Sequence, residues 1–196
     1  MKKKATNKEI IFREAARLFS EKGYERTSMR AVAEAAGVSK PAIYYYFCNK
    51  EALFEAMLEM AISHIVDTME SVRKADLSPL EKLSVIAVHR FELYIKHPEV
   101  SKFLMDLSVW NIKKNLMLNF LEKHSDIRTI MSDIIIEGQK SGLFKREVDP
   151  LLTGHMFLGG LNMYLMNYIK TREGELTADK AREFVTTLFN GIGLTR

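Results

Sequence analysis

Apolar residues recur along this chain every three or four positions, the spacing of helices that bury one face. Leu53, Met57, Ala61 and Ile65 mark a long helix that Asn49 can cap and that fades near Lys74. Ser78-Pro79-Leu80-Glu81 is a capping box with proline at the first helical position, a sharp start for the next helix. His97-Pro98 ends that helix and begins another, reaching about Trp110. Ile127, Ile130, Met131, Ile134 and Ile135 repeat at helical spacing until Gly142. Asp149-Pro150 opens a helix to about Thr171. An acidic-glycine loop, Arg172 to Leu176, precedes a last helix through Phe184, Leu188 and Ile192. Four prolines and no valine/threonine alternation leave little room for strands. The expected fold is all-α, with about nine helices.

Residues 27 to 50, TSMRAVAEAAGVSKPAIYYYFCNK, carry the most specific pattern. Thr27 or Ser28 can cap a short helix, whose narrow apolar face is Val32, Ala33 and Ala36. Gly37 ends it where a positive φ is expected. Ser39 caps a second helix, and Pro41 is tolerated in its first turn, where N–H groups lack intrahelical partners. The small Ala33 lets the two helices cross closely, with Val38 and Ile43 filling the angle. This is a helix-turn-helix pattern, and its second helix fits a DNA major groove.

With IIFREAARLFSEKGYERTS before it and KEALFEAM after it, the segment resembles the DNA-binding domain of the TetR family of bacterial transcriptional regulators. The match runs without a gap from about Ile10 to Met57. It rests on Leu18-Phe19, Gly23-Tyr24, Thr27-Ser28, Ala36-Gly37-Val38-Ser39, Tyr44, Phe47 and Lys50-Glu51. Cys48 departs from the pattern, where a polar or basic residue is more usual. The resemblance implies an N-terminal three-helix DNA-binding domain over residues 1–50. A larger helical effector-binding and dimerisation domain is then expected over 51–196.

Charge points the same way. Residues 1–50 hold 11 Lys/Arg against 5 Glu, leaving 18 basic and 20 acidic residues for the rest of a chain whose net charge is +4. All the excess positive charge lies on the quarter expected to meet phosphates. A single cysteine excludes an internal disulfide and fits a reducing, cytoplasmic setting. MKKKATNKEI starts like a signal peptide, but no apolar stretch follows it. No apolar run approaches the roughly 20 residues that span a bilayer.

On the DNA side, Lys40, Pro41 and Ala42 hold the leading end of the second helix, the part that meets base edges. Lys40 suits guanine, whereas Pro41 and Ala42 offer only apolar contact, as to a thymine methyl. Tyr44, Tyr45 and Tyr46 point in directions about 100° apart, so they cannot all be core. The resemblance implies phosphate contacts from Tyr44 and Tyr46 and a base or sugar contact from Tyr45. Tyr46 packing inward with Phe47 is the alternative. Arg30 matches a family position that can reach a base, or it contacts phosphate or solvent. Thr27, Ser28 and Ser39 complete the set, with Lys50 expected to grip the backbone beside free N–H groups. Lys2 to Lys4 form either a nonspecific DNA-binding arm or a solubilising tail.

On the effector side the resemblance extends only to the general helical layout. A soft interior rich in methionine and aromatics suits a flexible apolar ligand, and equally suits plain core. Pocket candidates are Phe103, Trp110, Met131, His155, Met156 and Asn162. His155 and Asn162, seven apart, are either orienting groups or satisfied buried polars. The last two helices are expected to dimerise as a four-helix bundle through Leu152, Gly159, Gly160, Met163, Phe184, Leu188 and Ile192, against intrachain packing as the alternative.

No HExxH, paired-cysteine, GxSxG, P-loop or dinucleotide fingerprint occurs among these residues, so no enzyme, metal or cofactor is expected. The leading expectation is a ligand-responsive repressor. As a homodimer it binds a pseudo-palindromic double-stranded operator, and a small apolar or amphipathic effector releases it. A constitutive DNA-binding or scaffold protein without a ligand, or an activator, are the alternatives. No membrane partner is expected.

Overall fold

Helix starts in this protein follow from side chains that satisfy the first free backbone N–H groups. A computed structural model describes residues 6–106 and 114–190, without the side chains of 106 and 114–124. Among the described residues there are nine helices and no strand. They are α1 (Asn7–Lys22), α2 (Met29–Ala35), α3 (Lys40–Tyr46), α4 (Lys50–Lys74), α5 (Pro79–Lys96), α6 (Pro98–Asp106), α7 (Lys114–Lys140), α8 (Pro150–Thr171) and α9 (Ala178–Asn190). Thr6 and Glu9 form a capping box at α1. Ser28 caps α2, Ser39 caps α3, and the Asn49 carboxamide accepts from the Ala52 N–H at 2.8 Å to open α4. Ser78 and Glu81 exchange bonds at the start of α5, and Asp149 caps α8.

Two helices end by the same device. At α2, Gly37 has φ +64°, with Val38 N–H donating to Ala33 O at 3.0 Å and Gly37 N–H to Glu34 O at 3.2 Å. At α7, Gly142 has φ +75°, and Leu143 N–H reaches Gly138 O at 2.8 Å. Both are Schellman turns, which satisfy the last carbonyls through a left-handed residue that glycine adopts without strain.

The chain divides into two compact units, Met1–Ile62 with His97–Phe120, and Ser63–Lys96 with Leu121–Arg196. The first therefore runs past the start of α4 and takes in α6. Its core is built on Ile11, Phe12, Phe19, Val32, Ile43 and Leu53, all nearly or fully buried. α6 packs on α1. Phe54 lies edge-on to Tyr24 at 5.0 Å, to Phe103 at 5.4 Å and to Phe19 at 5.6 Å between ring centroids. Such aromatic pairs add to the area they bury.

In the second unit α5 packs along α9, and α8 also meets α9. Phe91 stacks on Tyr164, and Phe157 lies edge-on to Phe184. The Phe144 ring fills the space where a Cβ on Gly138 would sit, so that position has to be glycine. Lys82, almost fully buried, pairs with Glu137 at 2.8 Å and so ties α5 to α7. No described helix is long and apolar enough to cross a membrane.

Candidate DNA interface and ligand cavity

Helix α3 is only seven residues long and is held to its unit by Ile43, which is fully buried, with Phe47 just beyond its end. One inward anchor leaves the rest of the helix free. Tyr44 is 43%, Tyr45 86% and Tyr46 41% exposed. Tyr46 lies between the two readings made for it: its ring centroid is 6.2 Å from Phe47, yet much of the ring faces solvent. Lys40 and Pro41 are exposed and Ala42 half-buried. Ser28 and Ser39 use their oxygens as acceptors, from Ala31 N–H at 3.1 Å and Ala42 N–H at 3.3 Å, leaving each hydroxyl proton free. Arg30 is exposed on α2 and pairs with Glu34 at 2.8 Å, which raises its pKa through that hydrogen bond.

Two residues expected at the DNA have their polar groups turned inward. Thr27 is 2% exposed, and its hydroxyl is shared between the carbonyls of Gly23 (2.9 Å) and Leu18 (3.2 Å). It locks the α1–α2 turn and has no hydroxyl to offer outside; Ser28 alone caps α2. Lys50 donates to Tyr24 O at 2.8 Å and Glu25 O at 3.3 Å, with its ammonium 4.3 Å from the centre of the Tyr24 ring. That ammonium fastens the start of α4 to the α1–α2 turn instead of standing free for a phosphate.

The second unit contains a cavity of about 350 Å³, near the lower end of the range for small-molecule sites. Its wall is mostly apolar, with Ile65 and Met69 from α4, Ile86 and Leu93 from α5, Ile127 from α7 and Leu158 from α8. Against this stand Arg90, Arg128, His89, His155 and Asn162. Among the described residues no aspartate or glutamate lines it. Arg90 donates from Nη2 to Asn162 Oδ1 at 3.3 Å, while its Nη1 is buried without a partner. Burial pushes this guanidinium down to about 10. His89 is lowered by burial and then by His64, whose ring lies 5.9 Å away, and its Nε2 also lacks a partner.

Of the pocket candidates, His155 and Asn162 line this cavity. Phe103 does not, because it belongs to the aromatic core of the first unit. Met131 is fully buried against Gly154, and Met156 is half exposed; neither lines the cavity. Trp110 lies outside the described residues. Arg90, Arg128 and His89 were missed. For Arg90 a signal existed: it follows Leu83 and Ile86 at helical spacing and so sits on the buried stripe of α5.

Leu152, Met156, Gly159 and Met163 form one exposed stripe on α8, and no atom lies within 4 Å of a Cβ placed on Gly159. Gly160 serves the interior instead, since the Phe184 ring lies 2.9 Å from where its Cβ would be. Gly160 and Phe184 are therefore joined within the chain. Leu188 is half-buried, and Ile192 lies outside the described residues.

Comparison with known proteins agrees with this layout. A family profile described as bacterial regulatory proteins, tetR family, matches residues 11–57, and one described as YsiA-like protein, C-terminal region, matches 58–185. The transcriptional repressor KstR2 of Mycolicibacterium smegmatis is 23% identical over 190 residues, covering 96% of this chain and 91% of that protein. The structure of the fatty acid degradation regulator FadR from Bacillus halodurans superposes with a TM-score of 0.82 at 24% identity, over 97% of this chain and 98% of that one. FadR from Bacillus subtilis, in complex with stearoyl-CoA, gives 0.80 at 22% identity, over 93% and 98%.

Proposed function

The chain belongs to the TetR family of bacterial regulatory proteins, and from that premise we propose that it is a repressor released from its operator by a small amphipathic ligand. The observation that carries this reading is the double membership of α4. Leu53, Phe54 and Met57 on its first half sit in the core that holds the helix-turn-helix, while Ile65, Thr68 and Met69 on its second half line the cavity. A ligand that shifts those cavity residues acts on the same 25-residue helix that supports α3. Ligand and DNA then weaken each other's binding to the same degree. The stearoyl-CoA held by the Bacillus subtilis relative is itself an amphiphile, which fits an apolar wall interrupted by cations.

DNA contacts in this reading come from Arg30, Lys40, Pro41, Ala42 and the three tyrosines, with Ser28 and Ser39 donating hydroxyl protons to phosphates. The division of labour keeps residues 1–50 for DNA and the remainder for ligand and dimerisation, in the cytoplasm. Two copies pair through the exposed α8 stripe and α9, which presents two recognition helices to a pseudo-palindrome.

Fluorescence anisotropy on duplex DNA from the protein's own upstream region, with random-sequence competitor and a salt series, tests this. Competitor-resistant dimeric binding that weakens steeply with salt is expected. The ligand-release reading fails if a compound that saturates the cavity leaves operator affinity unchanged.

A further inference from the structure

The cavity holds a cation that no described residue neutralises. Arg90 is half-buried and lines the cavity, and its Nη1 is closed off without a partner. Its single hydrogen bond among the described residues, to the neutral Asn162 carboxamide, is long at 3.3 Å. Among the described residues no carboxylate pairs with Arg90 or with Arg128, and the nearby Glu92 is taken by Lys96 at 2.8 Å. Even lowered to about 10, the guanidinium stays protonated at neutral pH. A buried charge left this way is costly unless something completes it.

We infer that the ligand is a single-tailed amphiphile whose oxyanion head seats on Arg90, with its tail along Ile65, Met69, Ile127 and Leu158. This rests on the ligand-released reading above and adds which end of the ligand is recognised, and by what. An oxyanion offers two oxygens to the guanidinium fork, which a neutral hydroxyl or ester cannot match. Arg128 adds positive charge to the same wall, and among the described residues no lining carboxylate opposes an anion there. The oxyanion has two sources, the carboxylate of a free acid or the phosphates of a thioester with coenzyme A, and the probes separate them.

Isothermal titration of the full-length protein uses decanoate, decanoyl-CoA and methyl decanoate, each against wild type, Arg90→Lys and Arg90→Met. Wild type is expected to bind at least one anionic probe about tenfold or more tighter than the ester, the scale of a charged hydrogen bond. Arg90→Met should erase that preference while leaving the ester unchanged, and Arg90→Lys should restore only part of it. Arg90→Met is also expected to melt no lower than wild type, since it removes an uncompensated charge; Arg90→Gln serves if it does not fold. Equal binding of ester and anion, an Arg90→Met loss shared by all probes, or no binding by any probe overturns the inference. Tighter decanoate points to a free acid, and tighter decanoyl-CoA to the thioester. Operator anisotropy with the same probes reads release separately: an anion that binds through Arg90 but leaves operator affinity unchanged sinks the repressor-release reading and leaves the headgroup assignment standing.

Discussion

The two units treat their interior polar groups in opposite ways. In the helix-turn-helix unit, Thr27 and Lys50 are spent on backbone carbonyls that pin one turn to one helix start. The buried groups left over there, the Ser20 and Ser101 hydroxyls, are neutral. In the other unit the leftovers are a guanidinium nitrogen and an imidazole nitrogen, and both side chains line a cavity. An unpaired buried cation is far more costly than an unpaired hydroxyl, so it persists where a ligand completes it. The first unit is built to present a fixed surface, and the second to be completed.

The comparison is most exposed to a change at Phe103, which stands some forty residues beyond Ile62 yet packs in the first unit. Phe103→Ala is expected to cost about 3–5 kcal/mol. Denaturant unfolding should show that loss, together with lost operator binding, while calorimetric binding of cavity ligands falls only in proportion to unfolding. Filling the cavity reverses the pattern. Leu158→Phe should keep stability within about 1.5 kcal/mol and operator affinity near wild type, but anisotropy should show no release by ligand.

Smaller effects separate fastening from contact inside the first unit. Thr27→Val should lower stability by about 1 kcal/mol and leave the salt dependence of DNA binding alone. Lys40→Ala should leave the melting temperature alone and reduce the salt slope by about one unit. If Thr27→Val changes the slope, that residue is a DNA contact after all.

The smallest effect concerns His89, whose lowered pKa means the folded state binds fewer protons than the unfolded chain around and below the ordinary histidine value of about 6.5. Its contribution is therefore intact above that value, and stability falls as pH drops through it. His64, Arg90 and Lys96 push the same way, and Glu92 opposes them. Urea midpoints measured from about pH 7.5 to 5.5 should decline less in His89→Gln than in wild type.

Caps and turns made the helical order legible in advance, because Ser39, Asn49, the Ser78-Glu81 pair and Asp149 act within three residues of themselves. The exposure of α3 was legible for a related reason: a seven-residue helix with one inward anchor leaves nearly everything else outside. The inward contacts of Phe103, Thr27 and Lys50 were not legible because they reach partners as far as 84 positions away in sequence, as Leu18 lies 9 from Thr27 and Phe19 84 from Phe103. Periodicity marks a residue as buried without saying in which core. Arg90 was hidden by its residue type, since an arginine on an amphipathic helix is assumed to face water unless its place on the apolar stripe is weighed.

The interleaved course of the chain has a consequence for anyone recombining such regulators. Each compact unit is assembled from two separate stretches, with junctions after Ile62, Lys96 and Phe120. A hybrid made by one crossover at the start of α4 would inherit an aromatic core from two parents, Phe19 from the donor of the earlier sequence and Phe54 and Phe103 from the donor of the later one. Modular transplant of the reading head onto a foreign sensor therefore calls for three coordinated splices, and natural shuffling at a single point would be expected to leave few working offspring.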